Sequence, residues 1–173
     1  MCGRYELRGP LGESEAFPGQ LLPALVAPGR VMTLRWGFAS LLPGGRPHIN
    51  ARIESAAASK TFGASFALSR CLLPASAYFE WRKTASGSVK TRASFGEGEH
   101  FLAGLCQNGA FAILTREAAP EIQALHGRMP VIVPTAAAEA WLLRGELPAQ
   151  VPTLSLEPLP GESEQLGFFD EAF

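Results

Sequence analysis

Cysteine is scarce in this chain of 173 residues: there are three, at positions 2, 71 and 106, and no Cys-x-x-Cys pair. An odd count with no paired spacing excludes a disulfide framework and points to reduced thiols. The three histidines do not cluster at metal-ligand spacing, so neither a metal nor a cofactor is expected. No stretch approaches the roughly 20 apolar residues that a membrane span needs. Residues 1–16 hold Arg4, Glu6, Arg8, Glu13 and Glu15 where a leader would hold an apolar run. The expectation is a soluble, cytoplasmic protein with no membrane partner. Internal repeats and low-complexity tracts are also absent.

What is present fits one globular domain over residues 1–173. At 47% hydrophobic and 18% charged residues, the chain can fill a core and does not read as disordered. The 14 Pro and 18 Gly imply many turns and short elements. The net charge of −1 conceals a polarity: residues 1–96 hold 12 Lys and Arg against five Glu, a net of +7, and residues 97–173 hold three Arg against 11 acids, a net of −8. A basic half can meet phosphates, although folding can also intermix the two halves.

Short apolar runs separated by turn signals suggest strands at 31–38, 70–75 and 77–83, the last two broken at Pro74. Residues 101–106 and 111–115 read as a hairpin around Gln107-Asn108-Gly109, because Asn-Gly favours a two-residue hairpin turn. Residues 41–47 read as loop, 50–62 as a helix opened by Asn50, 121–127 as helical turns ending at Gly127, 129–133 as a strand and 135–143 as a helix capped by Thr135. Segment 145–173, with six acids, no base and four Pro after residue 147, reads as an acidic tail of loop character. Strands and helices do not alternate regularly. That favours an α+β fold: a single compact domain of mixed, largely antiparallel sheets forming a barrel-like core, with a few short helices.

The chain opens Met1-Cys2-Gly3-Arg4. If Met1 is removed, Cys2 carries an amine and a thiol on adjacent carbons, a pairing available only to an N-terminal cysteine. An aldehyde condenses with the amine to an imine, and the thiol closes on the imine carbon to give a five-membered thiazolidine. An α-amine titrates near about 7.7–8.0, so roughly a third is free base near neutral pH, against about one in a thousand lysines. Position alone is weak evidence, since a cysteine after the start codon can also be merely a small residue.

Five segments occur together: Met-Cys-Gly-Arg (1–4), Leu-Arg-Trp-Gly-Phe (34–38), His-Ile-Asn-Ala-Arg-Ile-Glu-Ser (48–55), Arg-Cys-Leu-Leu-Pro-Ala-Ser-Ala-Tyr-Phe-Glu-Trp (70–81) and Leu-His-Gly-Arg-Met-Pro-Val-Ile-Val (125–133). In this order they resemble the SRAP family, the SOS-response-associated peptidases, understood as abasic-site sensors. The resemblance implies a fold of that type and a partner, single-stranded DNA with abasic sites, engaged by a monomer associated with the nucleoid when on DNA. It implies Cys2 as nucleophile and crosslinking residue, Asn50 as its positioning group, Glu80 as general acid/base, also in the removal of Met1, and His126 as second proton-transfer group. It further implies Arg4 and Arg52 on the phosphates flanking the lesion, with Gly3, Trp36 and the loop 39–47 near the DNA.

The chemistry agrees with those residue types. Opening the cyclic sugar to its aldehyde needs proton transfers at two oxygens, which a carboxyl and an imidazole supply. Arg forks match phosphate oxygens, and an abasic strand needs no base flipped out.

Plainer roles also fit. Asn50 fits a helix cap, Glu80 a surface residue, His126 a cation at a helix C-terminus, and Arg52 a partner for Glu54 or Glu80. His48 and His100 read as surface residues, Cys71 and Cys106 as buried, inert thiols. The chain departs from the family where Leu25 replaces an Asn ahead of Ala27-Pro28, where Gly127 replaces an Asp, and in the short span from Pro28 to Trp36, which suggests a missing hairpin. Other readings are a DNA-binding module of the same fold without crosslinking, a thiol peptidase acting on other proteins, and an N-terminal-nucleophile amidotransferase. The last needs a downstream Asn-Gly, for which Asn108-Gly109 is the candidate.

Overall fold

A computed structural model describes residues 2–9, 12–84, 87–150 and 152–159. In chain order the elements are β1 (Tyr5–Gly9), β2 (Gly12–Ala16), β3 (Leu21–Ala27), β4 (Arg30–Trp36), β5 (Asn50–Arg52), α1 (Ile53–Ala56), α2 (Gly63–Leu68), β6 (Arg70–Thr84), β7 (Gly87–Ser94), β8 (His100–Gln107), β9 (Ala110–Glu117), α3 (Pro120–Gln123), β10 (Arg128–Pro130), β11 (Ile132–Pro134), α4 (Ala138–Arg144) and β12 (Ser155–Leu159). One mixed sheet runs β11-β8-β9-β4-β3-β6-β1-β2, and β6 also pairs with β8, so the strands from β8 round to β6 close a ring. The ring is not a true barrel: β3 meets β6 only at Leu25↔Leu72, and β4 meets β9 in parallel only at Arg35↔Ala110 and Trp36↔Phe111. The expected α+β class, single domain and short helices hold. No helix among the described residues is long and apolar enough to cross a membrane.

The long strand β6 organises the molecule. Residues 70–75 pair with β8, Ala75–Tyr78 with β1, and Ala77–Thr84 with β7. The break expected at Pro74 does not occur. Cys106 N–H donates to Ser69 O, which makes Ser69 and every second residue after it the hydrogen-bonded partners of β8. Pro74 falls on the alternate set, so its nitrogen points away from β8, into the gap between β3, which ends its pairing at Leu72, and β1, which begins at Ala75. A missing donor costs nothing there.

The Asn-Gly hairpin forms as expected, with Gln107 opposite Ala110, and with Asn108 at φ 51° and Gly109 at φ 75°. The helix expected over 50–62 is mostly lost to the sheet. Asn50–Arg52 lie parallel along β9, opposite Ile113–Thr115, and only Ile53–Ala56 turns helically. The edge of β9 satisfies that backbone, so tertiary pairing overrides the alanine-rich propensity. Asn50 therefore caps no helix. Thr135 is no side-chain cap either: its hydroxyl donates to Glu99 O at 2.9 Å, and α4 begins after a 3₁₀ turn over Thr135–Ala137. Residues 129–133 form two short strands rather than one, Arg128–Pro130 on β9 and Ile132–Pro134 on β8. Ala27-Pro28 leads into a β3–β4 hairpin that the sequence reading did not foresee. Segment 145–173, read as loop, contributes β12, which pairs with β7 over Ser155–Leu159; the rest of the tail beyond 159 lies outside the described residues.

Arg70 locks the short helices. Its guanidinium donates to the carbonyls of Phe66 and Ala67 at the end of α2, and of Trp141, Leu142 and Leu143 at the end of α4. A cation at two helix C-termini fills carbonyls that have no intrahelical donor and opposes both dipoles. Helix α4 stops at Gly145, φ 73°.

Candidate active site

Strand β1 is held to β6 with Tyr5 opposite Tyr78, and Phe79 N–H donates to Arg4 O at 3.0 Å. This register draws the first residues of the chain alongside Glu80. Cys2 is completely buried, and its thiol points at Arg4 O, 3.7 Å away. The Cys2 carbonyl accepts a hydrogen bond from Asn50 Nδ2 at 2.9 Å. Burial first, and then the charge of Glu80, push the Cys2 thiol well above its ordinary range, so it is a thiol and not a thiolate at neutral pH.

Glu80 is itself buried, at 6% exposure, on the β6 face opposite Phe79 and Trp81, as strand alternation predicts. The reading of Glu80 as an ordinary surface residue is thereby excluded. Asn50 heads β5, whose pairing with β9 carries it to Cys2 from 48 residues away in the chain.

His126 lies half-buried between α3 and β10, with Nδ1 accepting the Arg128 N–H at 2.9 Å. A neutral ring so held carries its proton on Nε2, leaving that nitrogen a donor. His126 bonds Arg128 rather than Cys2 or Asn50. The structure thus joins Cys2 and Asn50 by a hydrogen bond, buries Glu80 where its charge acts on the Cys2 thiol, and leaves His126 on the loop before β10.

The residues expected to meet DNA divide. Gly3 is half-buried between Cys2 and Arg4. Arg52 is exposed and makes no ion pair among the described residues; the weighed pairing with Glu54 or Glu80 does not form, and Arg128 takes both Glu54 oxygens at 2.9 Å. Arg4 is engaged: it pairs with Glu15 at 3.2 Å, and its guanidinium lies 4.7 Å from the Phe17 ring centroid and 5.0 Å from that of Trp81. The expectation for the Trp36 side chain is overturned. It is 1% exposed, because β4 turns Leu34 and Trp36 inward and Arg35 outward. Trp36 Nε1 donates to Ile49 O at 2.9 Å and its ring lies 5.3 Å from that of Tyr5, so in this state it packs behind the site.

The exposed loop 39–47 borders a hollow of about 410 Å³ whose lining includes Arg35, Ser40, Lys60 and Asn108 but none of Cys2, Asn50, Glu80 or His126. Among the described residues no group of three or more His, Cys, Asp or Glu is placed to hold a metal. Two lesser expectations are corrected. His100 is buried, edge-on to Phe95 at 5.9 Å, and Cys106 is only half-buried, its thiol lowered by a hydrogen bond with Cys71, whose own thiol burial pushes up.

Four residues escaped the sequence reading. Tyr5 and Tyr78 flank Cys2 as directly opposed partners, and both hydroxyls are buried without a hydrogen-bond partner among the described residues. Period-two alternation from Glu80 would have placed Tyr78 on the acid's face. Arg128 and Glu54, both within the quoted motifs, clamp the Asn50 and His126 segments together, and Arg128 also donates to Thr115 O at 2.6 Å.

A mixed sheet that buries the second residue of the chain, a cysteine, against a carboxyl and an amide from distant segments defines a protein built around its own N-terminus. The family described as SOS response associated peptidase (SRAP) matches residues 13–167, and the chain belongs to it. Membership supports a function associated with DNA damage. A protein of Bordetella bronchiseptica solved by X-ray crystallography is similar, at 23% identity and a TM-score of 0.75, over 91% of this chain and 99% of its own. A phage-related protein of the same organism gives 21% and 0.74 over 93% and 95%, and one from Bacteroides thetaiotaomicron 17% and 0.72 over 87% and 78%. These likenesses are of fold. A comparison with curated proteins returns no match.

Proposed function

We propose that this protein binds single-stranded DNA at abasic sites and, once Met1 is gone, joins the opened sugar covalently through Cys2. The observation that carries the reading is the hydrogen bond from Asn50 to the Cys2 carbonyl, made in a buried cluster with Glu80. An inert second residue would need no such anchoring.

The chemistry follows from the groups present. The α-amine adds to the aldehyde carbon and water leaves, giving an imine. The Cys2 sulfur then bonds to the imine carbon, the C=N π pair goes to nitrogen, and the thiol proton ends there. The raised thiol needs a base at that moment, and the Glu80 carboxylate is the buried candidate. His126, a donor through Nε2, serves the sugar oxygen as the ring opens. Arg52 receives a flanking phosphate, and Arg4 does so on leaving Glu15. The same acid and thiol would act on the Met1–Cys2 bond, the peptidase-like activity that the family name suggests; Met1 itself lies outside the described residues.

Intact mass spectrometry before and after incubation with a single-stranded oligonucleotide bearing one abasic site tests this. The expected result is a chain lacking Met1 and a denaturation-resistant adduct that Cys2→Ala abolishes. A chain lacking Met1 that forms no adduct refutes crosslinking and leaves a DNA-binding module. Cleavage of an added peptide without an adduct would point to a general peptidase.

A further inference from the structure

We propose that the Tyr78 hydroxyl is a hydrogen-bond donor to the aldehyde oxygen, O1′, of the baseless sugar. The proposal deepens the reading of the Cys2 site and rests on it. Tyr78 is fully buried, yet its hydroxyl has no partner among the described residues. A buried, unsatisfied hydroxyl costs about 1–3 kcal/mol, and a phenylalanine of the same shape would avoid that cost. The ring gains nothing from the oxygen: it packs among Cys2, Tyr5 and Ala93, with the Phe95 centroid 6.2 Å away. A polar atom kept at such a cost inside a reactive cluster is what a ligand site retains.

The placement selects the ligand atom. Tyr78 and Glu80 are two residues apart on one face of β6, and Cys2 lies in the same buried cluster as Tyr78. The Cys2 thiol bonds Arg4 O and neither tyrosine, so the hydroxyl is not a thiol partner in this state. Cys2, Glu80 and Glu121 all act electrostatically on Tyr78 and, together with burial, keep its phenol protonated, hence a donor. Tyr5, whose hydroxyl is equally orphaned, sits on β1 and not on the β6 face that carries Glu80. Any aldehyde that reaches the enclosed Cys2 must enter this cluster. As the amine adds, negative charge grows on O1′, and a donor waiting there stabilises it. The oxygen then leaves as water.

Two measurements on Tyr78→Phe decide the matter. The first compares crosslinking of abasic single-stranded DNA by chains shown by mass to begin at Cys2; a variant that retains Met1 is released from a fusion so that Cys2 comes first. The maximal rate should fall about 100- to 1,000-fold, in the range of a lost oxyanion donor. The DNA concentration at half-maximal rate should rise by no more than about fivefold, the worth of one net hydrogen bond in the bound state, and the melting temperature should stay level or rise. The second, in a Cys2→Ala background, compares affinity for a true abasic site with that for a tetrahydrofuran analogue lacking O1′. The parent should prefer the true site about fivefold, as one net hydrogen bond allows, and Tyr78→Phe should erase the preference. A wild-type rate in the first measurement, or an undiminished preference in the second, overturns the role of Tyr78. Wild-type protein that forms no adduct refutes the Cys2 reading instead, and the second measurement still decides Tyr78.

Discussion

Under the proposed function, the thiol of Cys2 begins as a weak nucleophile, and the site must correct this. Its pKa rises from the usual 9.0 because a thiolate there would be stripped of water beside Glu80. The same fact makes an alkaline prediction. The folded state keeps the proton above pH 9 while the unfolded chain releases it, so this contribution to stability is fully present below pH 9 and is lost as the pH climbs, at up to about 1.4 kcal/mol per pH unit. Tyr5 and Tyr78, raised from 10.0, add to the loss above pH 10. Melting curves from pH 8 to 11 should fall accordingly, and Cys2→Ala should flatten the stretch between pH 9 and 10. At the same scale, Asn50→Ala removes the bond to the Cys2 carbonyl. Adduct formation should slow about tenfold for a bond worth roughly 1–1.5 kcal/mol, as timed denaturing gels would show. An unchanged rate would reduce Asn50 to a structural residue.

At the scale of elements, the fold rests on buried charges whose partners are several strands away. Lys90, 3% exposed on β7, is held by Glu15 of β2 at 2.8 Å, and Glu15 holds Arg4 as well. Glu15→Gln removes the carboxylate that Arg4 and Lys90 share and should cost about 1 kcal/mol, since Glu15 is partly exposed, measured as a lower urea midpoint. Arg70→Met leaves five carbonyls without their cation, and a loss of about 3 kcal/mol is expected in the same assay. These ion pairs and carbonyl contacts were not legible from sequence, because the partners are set by pairing across the sheet. The hairpin at Asn108-Gly109 was legible because two adjacent residues specify it. The helix at 50–62 was misread because its alanines state a propensity, while the edge of β9, 60 residues later, decides the outcome. Pro74 was misread as a break for a related reason: its tolerance depends on which side of β6 its nitrogen faces.

For the whole molecule, the ion pairs do little to cancel the polarity between the basic and acidic halves, because those of Arg4, Lys90 and Arg92 are made with Glu6 and Glu15 of the same basic half. Glu15 engages Arg4 and Lys90, Glu6 engages Arg92, and Glu54 engages Arg128. Arg52, beside Asn50, is left exposed. Under the proposed function, Arg52→Ala should weaken retention of single-stranded DNA alike across sequences and lower the salt slope by about 1. A filter-binding series over salt concentration checks it, and an unchanged slope removes Arg52 from the interface. The candidate site was legible to the extent that Cys2 and Asn50, set apart by two of the motifs, meet through a hydrogen bond. Trp36 was visible as a residue but not as a buried one, because a motif does not say which way a strand faces.

The pairing of β1 with β6 also sets a clock. Cys2 has no wall around it until Glu80 and its strand exist, so during synthesis the first residues trail uncovered while about 80 more are added. At about 5–20 residues per second, that leaves a window of roughly 4–16 s in which an aminopeptidase working on nascent chains can reach Met1. Under the proposed function, a chain that folds before it is trimmed buries Cys2 and then relies on its own acid and thiol.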